Sequence, residues 1–576
     1  MRRFLVPLLC ATAAGGALVV PVPASCASGG GAHACVAAIA AAAAQCAAQG
    51  APCTVQLEAG VYPLGGAPYA NPLISIAGAR DLAVRGAGAA LTTLVLHDIA
   101  GTFSIADSAN VSLGDFSVDS ARPYYTLGTV LASSAPGVAN LSFDARQYPA
   151  DTAAFPWLLK AQAAIGYDAA NNWFLKDGVD AYWLDAPKDV TFVSTDGATA
   201  LLSVAGASLP VGQAVVLRHQ VYAYNFLSAY NSDAVAVLNV TLFSTPGMGV
   251  FTTNCSGVTL DGLEVRKRPG RPMSITADGV HLSNSRGGAD LIRRCVFEGQ
   301  GDDGINIPTI YQDIGAISAD RLTLTLGKDG VAGVNSGTLW AGATVNFFGR
   351  LTLNPAAPPG RVVSVSGVNV TLAAPLDAAV KLYDLVNNAA SYASYVEVSD
   401  CTFRANRARG ALLKASNLLA ARNTFDHCTG SAIKTESDGC YWFEGHPVRN
   451  WSIVNNTIRG VNYATAKMPG DIMLDSYVPV FDGHGVPTTQ CVTPTTAPVH
   501  HGITITGNTF FEDAGSSAVA MFSAETILIS GNAVTRAAGT PVPAFDFGCG
   551  SGSCANSTAA GNSCDGNGGA CVVSGL

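Results

Sequence analysis

Three acidic residues stand close together in a chain in which only 13% of the residues are charged. Asp278 lies in the segment TADGVHL, and Asp302 and Asp303 lie in GQGDDGINI, 24 and 25 residues further on. Two carboxyl groups can split a glycosidic bond when one donates a proton to the leaving oxygen and the other attacks or activates water. Crowding of like charges separates their pKa values and creates this difference. The pattern favours hydrolysis, provided that the fold brings the three side chains together.

The same carboxylates have two other interpretations. An aspartate in a tight turn often only accepts backbone N–H bonds. A pair that lies about 24 residues from a third aspartate is better explained by a shared site. A calcium site is disfavoured, because no further carboxylates cluster nearby and no calcium-loop motif occurs. We expect neither a metal nor another cofactor.

A short strand phrase recurs along the chain and predicts the fold. Its copies are VSLGDFSV at 111–118, VTLDGLEV at 258–265, LIRRCVF at 291–297, VEVSDCTF at 396–403, LLAARNTF at 418–425, WSIVNNTI at 451–458, ITITGNTF at 503–510 and ILISGNAV at 527–534. Phe403 and Phe425 are 22 residues apart. So short a strand buries its apolar face only by stacking on further copies. This predicts an all-β protein, a right-handed parallel β-helix of the pectin-lyase-like solenoid type. Leucine-rich repeats have a similar period, but their leucine–asparagine phrase is absent.

The predicted solenoid positions the acidic residues. Adjacent strands stack about 4.8 Å apart, so residues one turn apart lie on one face of neighbouring rungs. A small sideways offset would bring Asp278 to roughly 5–10 Å from Asp302 and Asp303, within reach of one glycosidic bond. Inside the stack we expect an aromatic register of Phe297, Phe403, Phe425 and Phe510. We also expect a polar ladder of Cys295, Cys401, Asn423, Asn456, Asn508 and Asn532.

Two stretches break the period and alternate like antiparallel strands, which predicts two inserted small antiparallel β-barrel units. The predicted segments are a signal peptide at 1–26, an N-terminal cap and first turns at 27–138, an inserted unit at 139–231, central turns with the acidic site at 232–307, a second inserted barrel at 308–392, C-terminal turns at 393–540 and a Cys-rich tail at 541–576. CVAAIAAAAAQCAAQG at 35–50 is predicted to form a helix that caps the open end of the stack.

The N-terminus has the order of charge, apolar core and small residues that is typical of a secretory signal peptide. Arg2 and Arg3 precede an apolar run from Phe4 to Val20. No later stretch is long and apolar enough to span a membrane. We therefore expect a secreted protein.

The cysteines support an oxidising compartment. Two clusters are expected to form disulfide staples, namely Cys26, Cys35, Cys46 and Cys53 near the start, and Cys549, Cys554, Cys564 and Cys571 in the tail. N-x-S/T sequences permit glycosylation and begin at Asn110, Asn140, Asn239, Asn254, Asn369, Asn450, Asn455 and Asn556. The net charge of −9 disfavours a basic phosphate-binding surface, so we expect no nucleic-acid partner.

The motifs around the acidic residues resemble one known family. The segment 247–307, the phrases NRARGALL at 406–413 and SAIKTESDGCYWFEG at 431–445, and VGQAVVLRH at 211–219 resemble the family 110 glycoside hydrolases. The likeness covers roughly residues 30 to 535. It implies an exo-acting, inverting α-1,3-galactosidase on a β-helix with inserted barrels. Its partner would be a galactose-terminated oligosaccharide or polysaccharide.

The resemblance implies that Asp278 is the general acid and that Asp302 and Asp303 activate water. Ile307, Pro308 and Thr309 depart from the family pattern, which touches the presumed pocket. The proposed substrate-binding residues are His281, Asn306, Arg268, Arg407, Arg409, Trp442 and Glu444. Several of these residues also have a purely structural explanation. His281 could fill a rung of the solenoid, the arginines could form surface salt bridges, and Trp442 could pack in the core.

Two other functions compete with this interpretation. A polygalacturonase-like hydrolase also has an Asp–Asp pair on a β-helix, but its basic and His-Gly motifs occur here in reverse order, at 433–435 and 501–502. A non-catalytic secreted β-solenoid gives no reason for an acidic trio one turn apart. The two are separated from a galactosidase by whether Asp278, Asp302, Asp303, Arg409 and Trp442 surround one pocket.

Overall fold

The structure is a computed structural model. It describes residues 18–49, 51–65, 71–134, 137–176, 178–195, 199–327, 338–464, 468–494, 498–512, 516–536, 543–548, 556–565 and 571–574. Short parallel strands dominate it and stack into a β-helix, so the predicted fold class is confirmed. Each turn of the β-helix contributes up to three strands. The strands stack into three faces, each a parallel β-sheet.

The three faces are defined by their strands. The first face contains Leu18–Val22, Cys53–Leu57, Arg80–Arg85, Ala109–Ser120, Asp233–Leu242, Thr259–Asp261, Ala289–Arg293, Tyr395–Ser399, Leu418–Ala421, Arg449–Val454, His500–Thr506, Ala524–Ser530 and Thr558–Ala560. The second contains Gly60–Leu64, Thr92–Leu96, Glu264–Val265, Val296–Glu298, Thr402–Arg404, Thr424–Asp426, Thr457–Arg459, Thr509–Glu512, Ala533–Arg536 and Ser563–Asp565, joined by the ends of Ala109–Ser120 and Asp233–Leu242. The third contains Ile74–Ala77, Phe103–Ala106, Leu227–Tyr230, Val250–Thr253, Val280–Ser283, Ile305–Ile307, Ala411–Leu413, Ile433–Asp438, Gly470–Phe481, Ser517–Met521, Phe545–Phe547 and Val573–Ser574.

Aromatic rings stack inside the second face. Phe297 lies 5.1 Å from Phe403, and Phe403 lies 4.6 Å from Phe425, between ring centroids. Phe510 occupies the same column, but Ile458 separates it from Phe425. The four phenylalanines are at most 1% exposed. The predicted register is therefore present, with an aliphatic residue interrupting the ring stack.

Polar side chains form the second interior ladder, as predicted. The backbone N–H of Cys401 donates to Asn423 Oδ1 at 3.0 Å, and that of Asn423 donates to Asn456 Oδ1 at 2.9 Å. The same bond continues from Asn456 to Asn508 and then to Asn532, at 2.9 Å each. Each asparagine also donates its amide to a carbonyl or to the next asparagine. Burial of these polar groups is tolerated because the ladder satisfies them.

The first insertion is an open antiparallel sheet rather than a closed barrel. Its strands are Tyr125–Ser134, Val138–Asp144, Lys160–Ala161, Ala163–Asp168, Trp173–Phe174, Asp180–Tyr182, Lys188–Thr195, Thr199–Ala205 and Ala214–Arg218, with a 3₁₀ helix at Pro156–Leu159. The sheet begins before residue 139, because Tyr125–Ser134 pairs with Val138–Asp144 and not with the solenoid. Leu227–Tyr230 already belongs to the third face.

The second insertion closes into a six-stranded barrel. Its strands are Gln312–Ile317, Thr323–Leu326, Thr344–Phe348, Pro355–Ser366, Asn369–Leu372 and Leu385–Asn388. These lie within the predicted segment 308–392. A further hairpin, which the sequence pattern does not predict, pairs Pro487–Val492 with the end of Gly470–Phe481.

An α-helix, Cys26–Ala48, packs on the first rungs of the stack, and its Ile39 and Cys46 are buried. Its segment Gly31–Ala48 is long and apolar enough to cross a membrane by length and composition alone, with a mean hydropathy of 1.5. This corrects the expectation that no stretch after the signal meets that test. The alanine-rich sequence that forms the capping helix is also apolar enough for a membrane-spanning helix. Cysteines at both ends of this helix are paired with neighbours.

Four disulfides join described residues: Cys26–Cys35, Cys46–Cys53, Cys440–Cys491 and Cys564–Cys571. They indicate an extracytoplasmic compartment. The third was not anticipated, and the tail cysteines Cys549 and Cys554 lie outside the described residues. Residues 1–17 of the predicted signal also lie outside them. Leu18–Val22 forms a strand, so a signal that ended at residue 26 would remove both this strand and Cys26.

Candidate active site

One corner of the solenoid positions the acidic residues. Asp278, Asp303 and Arg409 each stand two residues before a strand of the third face, in successive rungs whose first residues pair in register. Each is followed by a glycine. A Cβ on Gly304 would meet Phe403 Cδ1 at 2.6 Å, so glycine lets this corner pack on the aromatic stack. The DG, DG and RG pairs of the sequence thus place two carboxylates and a guanidinium in one column.

The three carboxyl groups lie together, and closer than the roughly 5–10 Å expected from the spacing. One oxygen from each of Asp278, Asp302 and Asp303 lies within 4.8 Å of the others. The backbone N–H of Asp303 donates to Asp278 Oδ1 at 3.3 Å. His281 Nδ1 lies 3.0 Å from Asp278 Oδ2. All four residues are at most 9% exposed.

Two arginines bind the acidic pair. Arg409 donates to both oxygens of Asp303, from its backbone N–H and from Nη2, at 2.9 Å each. Arg407 Nη1 lies 3.3 Å from Asp302 Oδ1. The hydroxyl of Tyr222 donates to the other oxygen of Asp302. Both arginines therefore lie at the trio, where their charges set its protonation.

The surroundings shift the pKa values of the three carboxyl groups in different directions. Burial raises the pKa of Asp278, and the charge of Asp302 raises it further despite the bond to His281. Burial, opposed by Arg409 but reinforced by Asp302 and Asp278, raises the pKa of Asp303 to about 8. For Asp302, burial is outweighed by Arg407 and Arg409, with help from Tyr222, so its pKa is lowered. At neutral pH the trio therefore holds a proton while Asp302 is ionised.

A second set of charged side chains lies beside the trio on the third face. Lys414 Nζ lies 2.7 Å from Glu444 Oε2 and 3.6 Å from Glu436 Oε1. Asn306 Nδ2 donates to the same Glu444 oxygen at 3.1 Å. Lys434 pairs with Glu436, whose pKa falls to about 2 because the lysines outweigh burial. Lys414, Lys434 and Glu436 were missed in the sequence, although the last two lie in the IKTES phrase.

The first insertion completes the wall of the site. Arg407 also binds Asp180, with Nη2 2.8 Å from Oδ2, and its guanidinium lies 4.6 Å from the Tyr182 ring centroid. Arg218, whose guanidinium lies 4.7 Å from the same ring centroid, donates to the carbonyls of Thr276 and Gly301 at 3.1 Å each. Arg218 lies in the VGQAVVLRH phrase. Asp180 and Tyr182 carry no local signal, because only the tertiary fold brings them to Arg407.

Arg268 and Trp442 lie away from the trio. Arg268 Nε binds Asp119 Oδ2 at 2.7 Å, and its guanidinium lies 4.0 Å from the Phe243 ring centroid. No contact joins Arg268 to a trio residue among the described ones. Trp442 is 48% exposed and packs edge-on against Tyr441. It stands on the loop that carries Glu444, so it lies at the rim and not in the core.

Three carboxylates this close have the donor set of a cation site. Here Arg407, Arg409 and Tyr222 already bind oxygens of Asp302 and Asp303. Two guanidinium charges oppose a third positive charge at the same place. The residues therefore fit acid–base chemistry better than a metal.

Curated proteins with related sequences are named α-1,3-galactosidases. The chain is 26% identical over 418 residues to α-1,3-galactosidase A of Shewanella woodyi, covering 70% of this chain and 67% of that protein. It is 25% identical over 506 residues to α-1,3-galactosidase A of Streptomyces avermitilis, covering 81% and 76%. The chain is a homologue of the α-1,3-galactosidases. This homology supports a glycoside hydrolase and confirms the resemblance drawn from the sequence.

Other comparisons are less informative. α-1,3-galactosidase B of Akkermansia muciniphila is 24% identical over 417 residues, and the aligned region is 69% of this chain but 51% of that protein. No family model matches the chain. Among solved structures, the A-module of the Azotobacter vinelandii mannuronan C-5 epimerase AlgE6 covers 92% of this chain and 94% of its own, at 13% identity and a TM-score of 0.41. A Thermotoga maritima exopolygalacturonase covers 90% of this chain and 87% of its own, at 12% identity and the same TM-score.

Proposed function

We propose that the protein is a secreted, exo-acting glycoside hydrolase that removes terminal α-1,3-linked galactose. The observation that carries this proposal is the buried trio of Asp278, Asp302 and Asp303, in which the arginines lower the pKa of Asp302 while burial raises the pKa of Asp278 and raises that of Asp303 to about 8. Glycosidic bond hydrolysis needs that combination of acid and base. The names of the curated relatives supply the sugar and the linkage.

In the proposed reaction, Asp278 gives its proton to the glycosidic oxygen as the bond from that oxygen to the anomeric carbon breaks. Asp302 takes a proton from a water molecule whose oxygen forms the new bond to the anomeric carbon. The lowered pKa of Asp302 and its greater exposure than Asp303 favour it as the base. Asp303, held by Arg409 at both oxygens, positions the corner and tunes the charge of its neighbours.

The side chains beside the trio are proposed to bind the hydroxyl groups of the terminal sugar. Among the described residues, buried Asn306 Oδ1 and Arg409 Nε have no hydrogen-bond partner. An unsatisfied buried polar group is costly, so a ligand hydroxyl at each would be stabilising. Lys414 and Glu444 add a charged donor and acceptor next to Asn306. Trp442 at the rim would contact a sugar ring from outside.

Inversion of the anomeric centre belongs to the same proposal and rests on the family resemblance. Inverting carboxyl pairs are typically about 6.5–9.5 Å apart. One oxygen from each carboxyl group lies within 4.8 Å of the others, nearer than that range. Secretion is supported by the signal-like N-terminus and the disulfides.

The test is hydrolysis of a panel of linear and branched α-galactosides, followed by proton NMR of the anomeric signal at early time. Release of β-galactose from α-1,3-linked substrates is expected. Release of α-galactose would replace the water-activation scheme by a covalent route. Absence of turnover on every α-galactoside, with a folded protein, would favour a non-catalytic solenoid.

A further inference from the structure

A neutral groove adjoins the acidic trio on the side of the earlier rungs. Its volume is about 390 Å³, within the usual range for small-molecule sites. Its lining residues among the described ones include no Lys, Arg, Asp, Glu or His. Tyr222, Tyr224, Tyr230 and Phe251 supply aromatic rings, and the three tyrosines are 38–42% exposed. Neither the trio nor the charged set beside Lys414 forms this surface.

The groove continues along one row of the third face to His281, which contacts the proposed acid Asp278. Ser104, Ser228, Phe251, His281 and Asn306 pair in register across successive rungs. Strands repeat every ~4.8 Å, so the row from Ser104 to His281 spans ~14 Å. The Phe251 and His281 ring centroids are 5.6 Å apart, and His281 binds Asp278.

The order of rungs relates the groove to the direction of cleavage. Asp302 and Asp303 precede the strand Ile305–Ile307, and Asp278 precedes the strand Val280–Ser283, one rung nearer the groove. Counted along the rungs, the proposed acid is therefore nearer the groove than the proposed base, while Tyr222 joins the groove wall to Asp302. A general acid protonates the oxygen that leaves with the rest of the glycan, so the leaving part lies on the acid's side.

We propose that this groove binds the leaving part of the substrate, an uncharged saccharide of more than one sugar. This rests on the proposed function and adds to it the chemical class of the glycan that carries the terminal galactose. Aromatic faces bind the apolar faces of sugar rings, and Asn225 and Ser228, joined at 3.1 Å, offer hydroxyl partners. A uronate or sulfate group would be desolvated here without a counter-charge, which is unfavourable.

The experiment compares kcat/KM for a neutral trisaccharide that ends in α-1,3-galactose with kcat/KM for α-galactosyl fluoride, whose leaving group cannot reach the groove. Tyr224→Ala and Tyr230→Ala should each lower the ratio of the two constants about three- to tenfold. Tyr224→Phe and Tyr230→Phe, which keep the ring, should restore most of it. Trp340→Ala, which removes a similarly exposed aromatic from the second insertion, is the matched control and should leave the ratio unchanged.

Each outcome separates the two proposals. An unchanged ratio in both tyrosine variants, with wild-type turnover of both substrates, would overturn the groove assignment and leave the hydrolase intact. The assignment is also overturned if replacing the middle sugar by a uronic acid raises kcat/KM. Failure of wild-type protein to hydrolyse either substrate would remove the proposed function and, with it, this inference. Circular dichroism of each variant identifies loss of fold.

Discussion

Asp302 and Asp303 are neighbours in the chain, yet their surroundings favour opposite protonation states. Asp302 faces the open side, where Arg407 and Tyr222 bind it. Asp303 turns inward below Arg409, and its pKa of about 8 reflects burial and the other two carboxylates. Two identical side chains thus acquire different pKa values, because adjacent residues at the corner point into different surroundings. The proposed roles of Asp302 and Asp303 follow from this asymmetry.

Asparagine substitutions should separate the roles, because asparagine keeps the size of aspartate and removes its acid–base function. Asp278→Asn should reduce kcat/KM on natural α-1,3-galactosides by about 10²–10⁴-fold and on aryl galactosides far less, since a good leaving group needs little protonation. Asp302→Asn should reduce both alike. Steady-state kinetics on both substrates checks this. Equal losses for Asp278→Asn would remove it from the acid role.

The pH profile should show a loss of activity on the alkaline side. The acid must be protonated, and burial raises the pKa of Asp278, so activity falls as the pH rises through that raised pKa. On the acidic side the profile should stay flat to below the ordinary range of an aspartate, because the pKa of Asp302 is lowered. With α-galactosyl fluoride, which needs no acid, the alkaline fall should be much weaker. An identical fall with both substrates would contradict the assignment.

At the scale of the elements, the stacked rings of the second face support the corner that carries the proposed catalytic residues. Gly304 and Gly410 rest on Phe403 and Phe425, so the rings fix the height of Asp303 and Arg409. Phe425→Ala should destabilise the protein by about 3–5 kcal/mol, measured by denaturant unfolding. Phe511→Ala, on the outer side of the same face and 36% exposed, is the control and should cost less than about 1 kcal/mol. Similar losses of unfolding free energy in both variants would mean that the ring stack stabilises the fold no more than a surface aromatic residue does.

The sequence predicts those elements that repeat. The 22-residue step from Phe403 to Phe425, the Asn ladder and the one-turn spacing of the aspartates are all visible because each rung repeats one local pattern. The start of the first insertion at Tyr125 was not visible, since an alternating strand looks the same in a solenoid and in an antiparallel sheet. Contacts such as Arg407 with Asp180 join segments 227 residues apart and have no local pattern.

At the scale of the whole molecule, the site is assembled from parts that the solenoid alone does not contain. The first insertion and its exit linker supply Asp180, Tyr182 and Tyr222. The loop after the strand Ile433–Asp438 supplies Glu444 and is tied to the hairpin strand Pro487–Val492 by Cys440–Cys491. The β-helix fixes the carboxylates, and the attached parts build the walls around them. Substitutions in the attached parts should therefore change substrate specificity more than they change the rate of bond cleavage.

The disulfide Cys440–Cys491 offers a test of this division. The backbone N–H groups of Cys440, Tyr441 and Trp442 donate to Asp438, so the loop is held by that carboxylate and by the bridge. The double variant Cys440→Ala/Cys491→Ala should lose about 2–4 kcal/mol of stability, because the bridge restricts the unfolded chain. It should also raise KM for α-1,3-galactosides several-fold, since Glu444 and Trp442 lose their anchor, while kcat changes less. The double variant Cys26→Ala/Cys35→Ala, at the far cap, should lower stability and leave KM unchanged. Calorimetry and steady-state kinetics on both variants check this, and an unchanged KM in the first would show that Asp438 alone holds the loop.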